Sequence, residues 1–189
     1  MTDHEGLAQL VSDLAACCEG GTLDGDRVAE VLSGASLTES EMERYRHFRA
    51  DKYCRNQLAR TPDFDVLLLC WEPGQETRVH DHSGQCGWVR VLEGAIEEVA
   101  YEMAPLESVE VPEGCSTAAC RLRESSRALV PAGPAVARVD PVRAIHKLGN
   151  PPERGERTVT LHVYSKPHDS CMTYDLEQRT SERMELVAD

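Results

Sequence analysis

The sequence has few basic residues and no long apolar run. Lys and Arg number 20 against 33 Asp and Glu, which gives a formal net charge of -13 at pH 7. Nucleic acids and anionic membrane surfaces are bound through clustered Lys and Arg, so the composition argues against both as partners. No stretch approaches the ~20 apolar residues that span a bilayer. The polar, acidic start of the chain is unlike a secretory signal, and we therefore expect a cytoplasmic protein.

Paired cysteine motifs are also lacking. The eight cysteines are scattered, and no two of them form a C-x-x-C pair. This pattern argues against a zinc ribbon or a disulfide framework. In a cytoplasmic protein we expect the thiols to be reduced. A G-x-G-x-x-G fingerprint is absent as well, so nothing indicates a dinucleotide cofactor.

The 189 residues predict one globular domain, which we expect to be a monomer. An N-terminal segment, residues 1–50, has the periodicity of helices over 3–18 and 24–32. A capping box from Thr38 to Glu41 begins a third helix. Residues 51–177 have the pattern of a β domain on which these helices pack. The charged end, residues 178–189, is predicted to be a poorly ordered tail.

The β domain is predicted from short apolar runs separated by Gly and Pro. Many short strands with regular turns are typical of a sandwich or barrel, so the fold class is mainly β with N-terminal α-helices. The stretch 104–123 has uneven patterning and is predicted to be a longer loop with strand fragments. The predicted strands are 53–60, 64–71, 77–82, 86–92, 95–102, 127–130, 135–139, 143–148 and 157–164.

A His-x-His pair, His80 and His82, lies at the end of a predicted strand. Side chains alternate along a strand, so two residues spaced i and i+2 share a face and can reach one metal ion. His146, in another strand-like run, is the candidate for a third ligand. Three imidazoles with open coordination positions indicate a reactive metal site rather than a closed structural one. Imidazole suits Fe, Zn, Cu or Ni, so the ligands alone leave the metal open.

These histidines lie within spacings that resemble the cupin family. The first cupin motif is Gly, five residues, His-x-His, a short gap, Glu, six residues, Gly. Every spacing fits here, and the one departure is Gly87 where the ligand glutamate would stand. The second motif ends in His, three residues, Asn, although upstream of it Arg143 occupies the usual glycine. The matching residues are Gly74, His80-Asp81-His82, Gly87, Gly94 and His146-Lys147-Leu148-Gly149-Asn150.

A cupin with three histidines and no carboxylate ligand resembles the cysteine dioxygenases, and further similarity to them covers roughly residues 45–175. It includes Tyr53-Cys54-Arg55-Asn56, Leu69-Cys70-Trp71 and Leu161-His162-Val163-Tyr164-Ser165. The resemblance implies a cupin β-sandwich or jelly-roll barrel and an Fe(2+) cofactor held by His80, His82 and His146. An iron that keeps its full dipositive charge can take the thiolate and the amine of a substrate and still bind O2. Both oxygen atoms can then go to sulfur without an external reductant.

Arg55 is the candidate for binding the substrate carboxylate. Taken alone, an arginine on a strand is interpreted as an exposed residue in a salt bridge. The resemblance instead places it where the cysteine dioxygenases have the arginine that holds the amino-acid carboxylate. A guanidinium fork can grip a carboxylate through two hydrogen bonds. Tyr53, two residues earlier on the same face, is predicted to line the same pocket.

Thr160, His162 and Tyr164 alternate along one predicted strand, so their side chains share a face. Without other information, a polar stripe on a solvent-facing strand would explain them. The resemblance implies a hydrogen-bonded relay from Thr160 through His162 to Tyr164, with the phenol near the open iron positions. The family more often has serine at the first position, and threonine keeps the hydroxyl.

The sequence therefore predicts a cytoplasmic enzyme of cysteine catabolism whose partners are a small thiol and O2, with no nucleic acid and no membrane. It would convert L-cysteine to cysteine sulfinic acid. Mercaptopropionate remains an alternative substrate because it also has a carboxylate, whereas Arg55 argues against cysteamine. A cupin sensor that binds metal without catalysis is the alternative of another class, although it would not need the relay.

The chain departs from animal cysteine dioxygenases at one further position. Those enzymes join a cysteine to the active-site tyrosine through a thioether, and Gly87 stands in place of that cysteine here. Cys86 is adjacent, but a shift of one residue along a strand turns a side chain to the opposite face. We therefore predict that Tyr164 is unmodified, with a small gap at Gly87 that a water molecule or a nearby side chain fills.

Overall fold

The computed structural model describes residues 5–104, 118–119, 121–139, 144–167 and 169–186. The described part has three helices followed by a mainly β domain. The helices are α1 Glu5–Ala16, α2 Gly25–Gly34 and α3 Glu39–Tyr45. The strands are β1 Cys18–Glu19, β2 Thr22–Leu23, β3 Cys54–Arg60, β4 Phe64–Trp71, β5 Val79–His80, β6 Gly87–Glu93, β7 Ala95–Met103, β8 Ala118–Ala119, β9 Leu122–Pro131, β10 Val136–Val139, β11 Ile145–Gly149, β12 Thr158–Ser165, β13 Ser170–Asp175 and β14 Thr180–Glu185.

The helices begin where side chains satisfy their free backbone N–H groups. The Asp24 carboxylate accepts hydrogen bonds from the first turn of α2, and Thr38 and Glu41 form the predicted capping box at α3. The apolar faces of α1 and α2 pack against one face of a sheet, burying Leu14 and Leu32 completely. The longest described helix has 12 residues, too few to cross a bilayer.

Two antiparallel sheets form the β domain. The five-stranded sheet has the order β10-β6-β12-β4-β3, and the seven-stranded sheet has the order β8-β14-β13-β5-β11-β7-β9. Strand β4 is buried along its whole length, because Leu68 and Cys70 face the helices while Leu69 and Trp71 face the second sheet. The two sheets and their inner core confirm the prediction of a mainly β sandwich with N-terminal helices.

The prediction of a disordered tail over 178–189 is wrong for residues 180–185. They form β14, which pairs with β13 along its full length from Asp175↔Thr180 to Ser170↔Glu185. The charged residues that appeared to indicate disorder form the solvent face of this hairpin, while Ser181 is buried. Strand β13 was not predicted either, although it connects the hairpin to β5. Residues 187–189 lie outside the described residues.

Other strand boundaries differ from the predicted ones. Strand β5 has only two residues instead of the predicted 77–82, and the turn that follows it is formed by Ser83 and Gly84. Strand β9 begins five residues before the predicted start at 127. The sequence did not indicate this earlier start because the residues there are largely exposed and charged and lack an apolar pattern. Pairing with β7 and ion pairs such as Arg127 with Glu97 hold β9 in the sheet. Most of the predicted loop 104–123, and Arg143, lie outside the described residues.

Gly94 makes the turn from β6 to β7. Its φ of 71° lies in the left-handed region, and a β-carbon there would come within 2.5 Å of the Arg157 carbonyl oxygen. Only glycine fits both restrictions without strain. This turn lets β6 and β7 join different sheets, so that β6 and β11 lie on opposite sides of the inner core.

Candidate functional site

Three histidines converge between the two sheets. His80 ends β5 and is the direct cross-strand partner of His146 in β11. His82 lies two residues beyond His80, and the three ring centroids are 4.8–5.1 Å apart. One ring nitrogen from each histidine can be chosen so that all three lie within 4.8 Å of one another. One metal ion could bind all three.

Two of the histidines are oriented by acceptors at Nδ1. The Nδ1 atom of His80 lies 2.9 Å from the carbonyl oxygen of Arg78, and that of His146 lies 2.6 Å from Oε1 of Glu98. A carbonyl and an ionised carboxylate only accept, so both Nδ1 atoms carry the proton. The hydrogen bond from His146 lowers the pKa of Glu98, which keeps it ionised. In the neutral form of each ring, the Nε2 lone pair is then available to a ligand.

His82 indicates a metal ion most directly. Its side chain is buried, and neither ring nitrogen makes a hydrogen bond of ordinary geometry with a residue that the structure describes. Buried polar atoms nearly always have a partner, so this environment requires one that the described residues do not supply. Burial, together with His80 and His146, lowers the pKa of His82 to about 2. Burial and His146 lower the pKa of His80 to about 4, although one edge of its ring reaches the cavity. Neutral imidazoles without a carboxylate fit a transition metal ion.

Asp81 fixes the segment between the two histidines to β13. Its side chain accepts hydrogen bonds from the backbone N–H groups of Ser83 and Met172. The Asp81 N–H in turn donates to the Met172 carbonyl. The predicted placement of both imidazoles on one face thus depends on β13, because β5 itself ends at His80.

Gly87 lies beside the ring of Tyr164, its cross-strand partner in β12. A β-carbon at Gly87 would be 3.1 Å from Cε1 of Tyr164 and 3.2 Å from the Val139 side chain. The predicted gap at Gly87 is therefore bordered closely by side chains, those of Tyr164 and Val139. Cys86 packs instead with the core on the helix side of the sheet.

Two adjoining cavities open beside the histidines, and Arg55, His80 and Tyr164 line both. Arg55 and Tyr53 lie on the inner side of the five-stranded sheet, as their spacing predicts, and Tyr53 lines one of the cavities. The predicted candidates for metal and carboxylate binding thus share one pocket. Their roles stay predictions.

Thr160, His162 and Tyr164 form a continuous hydrogen-bonded chain along β12. Thr160 Oγ1 lies 2.8 Å from Nε2 of His162, and His162 Nδ1 lies 2.9 Å from the hydroxyl of Tyr164. Thr160 and His162 are fully buried. Burial, reinforced by Arg55, lowers the pKa of His162 well below its ordinary value, and burial raises the pKa of Tyr164 to about 12. At neutral pH the imidazole of His162 is therefore neutral and the phenol of Tyr164 is protonated.

Several residues of the site were not found by sequence reasoning. Glu98 reaches His146 only because β7 pairs with β11, and no local pattern marks it. Asp65 and Gln85 line the cavity beside His82. Met184 and Leu186, from the segment predicted to be disordered, line the pocket as well. The β-forming run Cys171-Met172-Thr173-Tyr174 before an Asp-containing turn was a signal that could have predicted this hairpin.

Comparisons with known proteins give a consistent result. A sequence model of the family described as "Cysteine dioxygenase type I" matches residues 1–177. The chain is 26% identical to "Cysteine dioxygenase type 1" of Rattus norvegicus and 25% identical to the Homo sapiens protein of that name, each over 182 residues that cover 96% of this chain and 84% of the relative. It is also similar in fold to a solved Klebsiella pneumoniae protein with a double-stranded β-helix domain, at 18% identity and a TM-score of 0.48, covering 71% of this chain and 94% of the other. The family match and the two packed antiparallel sheets agree with the predicted fold class.

Proposed function

Because the chain belongs to the cysteine dioxygenase type I family, we propose that it is an iron(II) enzyme that oxidises L-cysteine with O2 to cysteine sulfinic acid. The family supports the broader activity of a thiol dioxygenase. The proposed reaction adds both atoms of O2 to the thiol, RSH + O2 giving RSO2H, so that sulfur loses four electrons and O2 gains them. It takes place in the cytoplasm, where free thiols are kept reduced.

The observation that carries the proposal is the composition of one pocket. His80, His82, the Arg55 guanidinium group and the protonated Tyr164 phenol all line one cavity, and His146 lies against the other two histidines. A thiol amino acid offers a sulfur, an amine and a carboxylate, and the pocket contains a complementary group for each. A sensor that only binds metal has no need of the phenol and its buried hydrogen-bonded chain.

His80, His82 and His146 would hold the iron. Bound there, iron(II) supplies a Lewis acid that favours the thiolate, whose free pKa is ~8.5, and a redox partner for O2. The protein supplies the orientation of the ligands. Glu98 and the Arg78 carbonyl orient two imidazoles through hydrogen bonds at Nδ1, and burial keeps His82 neutral.

Arg55 would bind the substrate carboxylate in the same pocket. Arg55 lines both cavities together with Tyr164, and its positive charge contributes to the lowered pKa of His162. A carboxylate that pairs with this charge is anchored while its sulfur and amine extend towards the histidines. The anchor also fixes the orientation of the substrate, since a two-point hydrogen bond restricts rotation.

Tyr164 would donate a hydrogen bond from its hydroxyl group into the cavity. Its pKa of about 12 keeps the proton on the oxygen at neutral pH, and the hydrogen bond with His162 holds the ring in place. The ring of His82 lies 6.0 Å from that of Tyr164, centroid to centroid, so the phenol is beside the histidine cluster. It can therefore assist the reacting sulfur or oxygen atoms.

Oxygen uptake by the iron-loaded protein tests the proposal. We expect uptake with L-cysteine that depends on iron and produces one sulfinate for each O2 consumed. A panel of cysteine, mercaptopropionate, cysteamine and homocysteine at equal concentrations determines the substrate. Faster turnover of mercaptopropionate than of cysteine would show that the enzyme is a thiol dioxygenase with mercaptopropionate as its substrate. A protein that binds iron tightly but takes up no oxygen with any of the thiols would instead be a binding protein.

A further inference from the structure

Trp71 lies at the inner end of the hydrogen-bonded chain on β12. Its side chain is completely buried in the inner core, and its indole Nε1 lies 3.0 Å from Oγ1 of Thr160. The ring of Tyr53 stacks on it with the centroids 4.4 Å apart and the planes 18° from parallel. Burial and stacking leave the indole one orientation, in which its N–H group points at Thr160.

This contact determines the direction of each hydrogen bond from Trp71 through Thr160 and His162. An indole N–H can only donate, so Thr160 Oγ1 is the acceptor. The Thr160 hydroxyl then donates its own hydrogen to Nε2 of His162, 2.8 Å away. A neutral imidazole has one proton, which must be on Nδ1 when Nε2 accepts.

The last link concerns Tyr164. The Nδ1–H group of His162 donates to the phenolic oxygen 2.9 Å away, so the hydrogen of that hydroxyl cannot point back at His162. It is free to point into the cavity that Tyr164 lines with Arg55 and His80. If the hydrogen bonds ran in the opposite direction, Thr160 would accept from both Trp71 and His162. The Thr160 hydrogen would then have no acceptor among the described residues, in a place without solvent.

We propose that Trp71 is a positioning residue that holds His162 in the Nδ1–H tautomer, so that the Tyr164 hydroxyl always presents its hydrogen to the bound substrate. The use of that hydrogen rests on the proposed function. The tautomer does not, since it can be observed without metal or substrate. Trp71 touches none of the reacting groups and acts through Thr160 and His162.

The tautomer is tested by ¹⁵N NMR of the histidine side chains in the metal-free protein at neutral pH, with His162 assigned by its loss in His162→Gln. In the wild-type protein we expect the Nδ1–H form to exceed the other form roughly tenfold or more, because the opposite direction of hydrogen bonding leaves a buried hydroxyl unsatisfied. Trp71→Phe keeps an aromatic ring against Tyr53 and removes the donor. Both tautomers of His162 should then be visible.

Matched variants separate this role from core packing. Trp88 is the other tryptophan of the chain. It is also buried, and its N–H group donates to the Gly25 carbonyl on the helix side. Trp88→Phe should leave the His162 signal unchanged. Thr160→Ser, which keeps the hydroxyl, should retain the Nδ1–H form, whereas Thr160→Val should lose it.

Kinetics on the iron-loaded protein supply a second readout. Trp71→Phe should lower kcat for cysteine. The kcat of the double variant Trp71→Phe/Tyr164→Phe should be no lower than that of Tyr164→Phe alone, since both changes act through one hydroxyl. A wild-type protein with the proton on Nε2 of His162 would overturn the inference whether or not any variant folds. So would a Trp71→Phe variant with an unchanged tautomer. If the tautomers behave as expected but no thiol is oxidised, the inference stands and the proposed function fails.

Discussion

The Nδ1 atom of His146 lies 2.6 Å from a carboxylate oxygen of Glu98. Glu98 is on β7 and His146 on β11, and the two strands are joined by five paired positions, from Ile145↔Tyr101 to Gly149↔Glu97. A carboxylate that accepts from the far nitrogen of an imidazole fixes the tautomer and the ring orientation and increases the basicity of the other nitrogen. Glu98 therefore acts on the proposed metal site without touching the metal.

This relationship predicts the effect of Glu98→Gln. Loss of the carboxylate should weaken iron binding by roughly 10–100-fold, a typical result for such outer partners of a ligating histidine. The dissociation constant can be measured by competition with a chelator. The neighbouring Glu97 pairs with Arg127 and provides the control, since Glu97→Gln should bind iron like the wild type. Equal affinities of the two variants would contradict the prediction.

Replacing any of His80, His82 or His146 with Ala should remove most of the iron and abolish oxygen uptake, because two imidazoles hold a divalent ion much less firmly than three. Iron content by elemental analysis and oxygen consumption measure the two effects. The exposed His47 supplies a control variant. A His146→Ala protein with full iron and full activity would show that the three-histidine site is wrong.

Arg55→Ala should weaken cysteine binding strongly while changing cysteamine little, since cysteamine has no carboxylate. A charge-assisted hydrogen bond is worth about 1.5–3 kcal/mol, which is roughly ten- to a hundredfold in binding. The KM values for both thiols test this. Arg60, on the same strand but paired with Asp169 at the surface, gives a matched Arg→Ala control. If Arg55→Ala weakens the binding of both thiols equally, Arg55 has a structural role instead.

Tyr164→Phe should keep its iron but slow turnover at saturating cysteine. The phenyl ring preserves the packing, and only the hydroxyl that acts on bound substrate or oxygen is lost. Assistance of this kind is typically worth about 10²–10⁴-fold. The measurement is kcat at a fixed iron content, with Tyr45→Phe on α3 as the control. An unchanged kcat would remove Tyr164 from the mechanism.

Tyr164 should carry no thioether link to cysteine. The β-carbon position that points at Cε1 of Tyr164 belongs to Gly87, and Cys86 packs on the helix side of the sheet. Peptide mapping by mass spectrometry after turnover should recover the Tyr164 peptide with its unmodified mass. A linked pair of peptides that carry Cys86 and Tyr164, lighter by two hydrogens, would refute the prediction.

The parts of the site that follow a local period could be predicted from the sequence. The i, i+2 spacing of His80 and His82, the alternation of Thr160, His162 and Tyr164, and the opposite facing of Cys86 and Gly87 all result from the two-residue repeat of a strand. The capping box at Thr38 is equally local. The family resemblance added the proposed roles of these residues, which spacing alone does not assign.

The parts that depend on pairing between distant strands required the tertiary structure. Glu98 meets His146 across 48 residues, and Trp71 meets Thr160 across 89. The β14 hairpin has a charged solvent face that looks disordered when read as a sequence, and only its register with β13 accounts for it. Local periodicity determined which face each side chain occupies, because it is a property of the backbone. Strand order and register decided which faces meet, because they depend on how the whole chain buries its core.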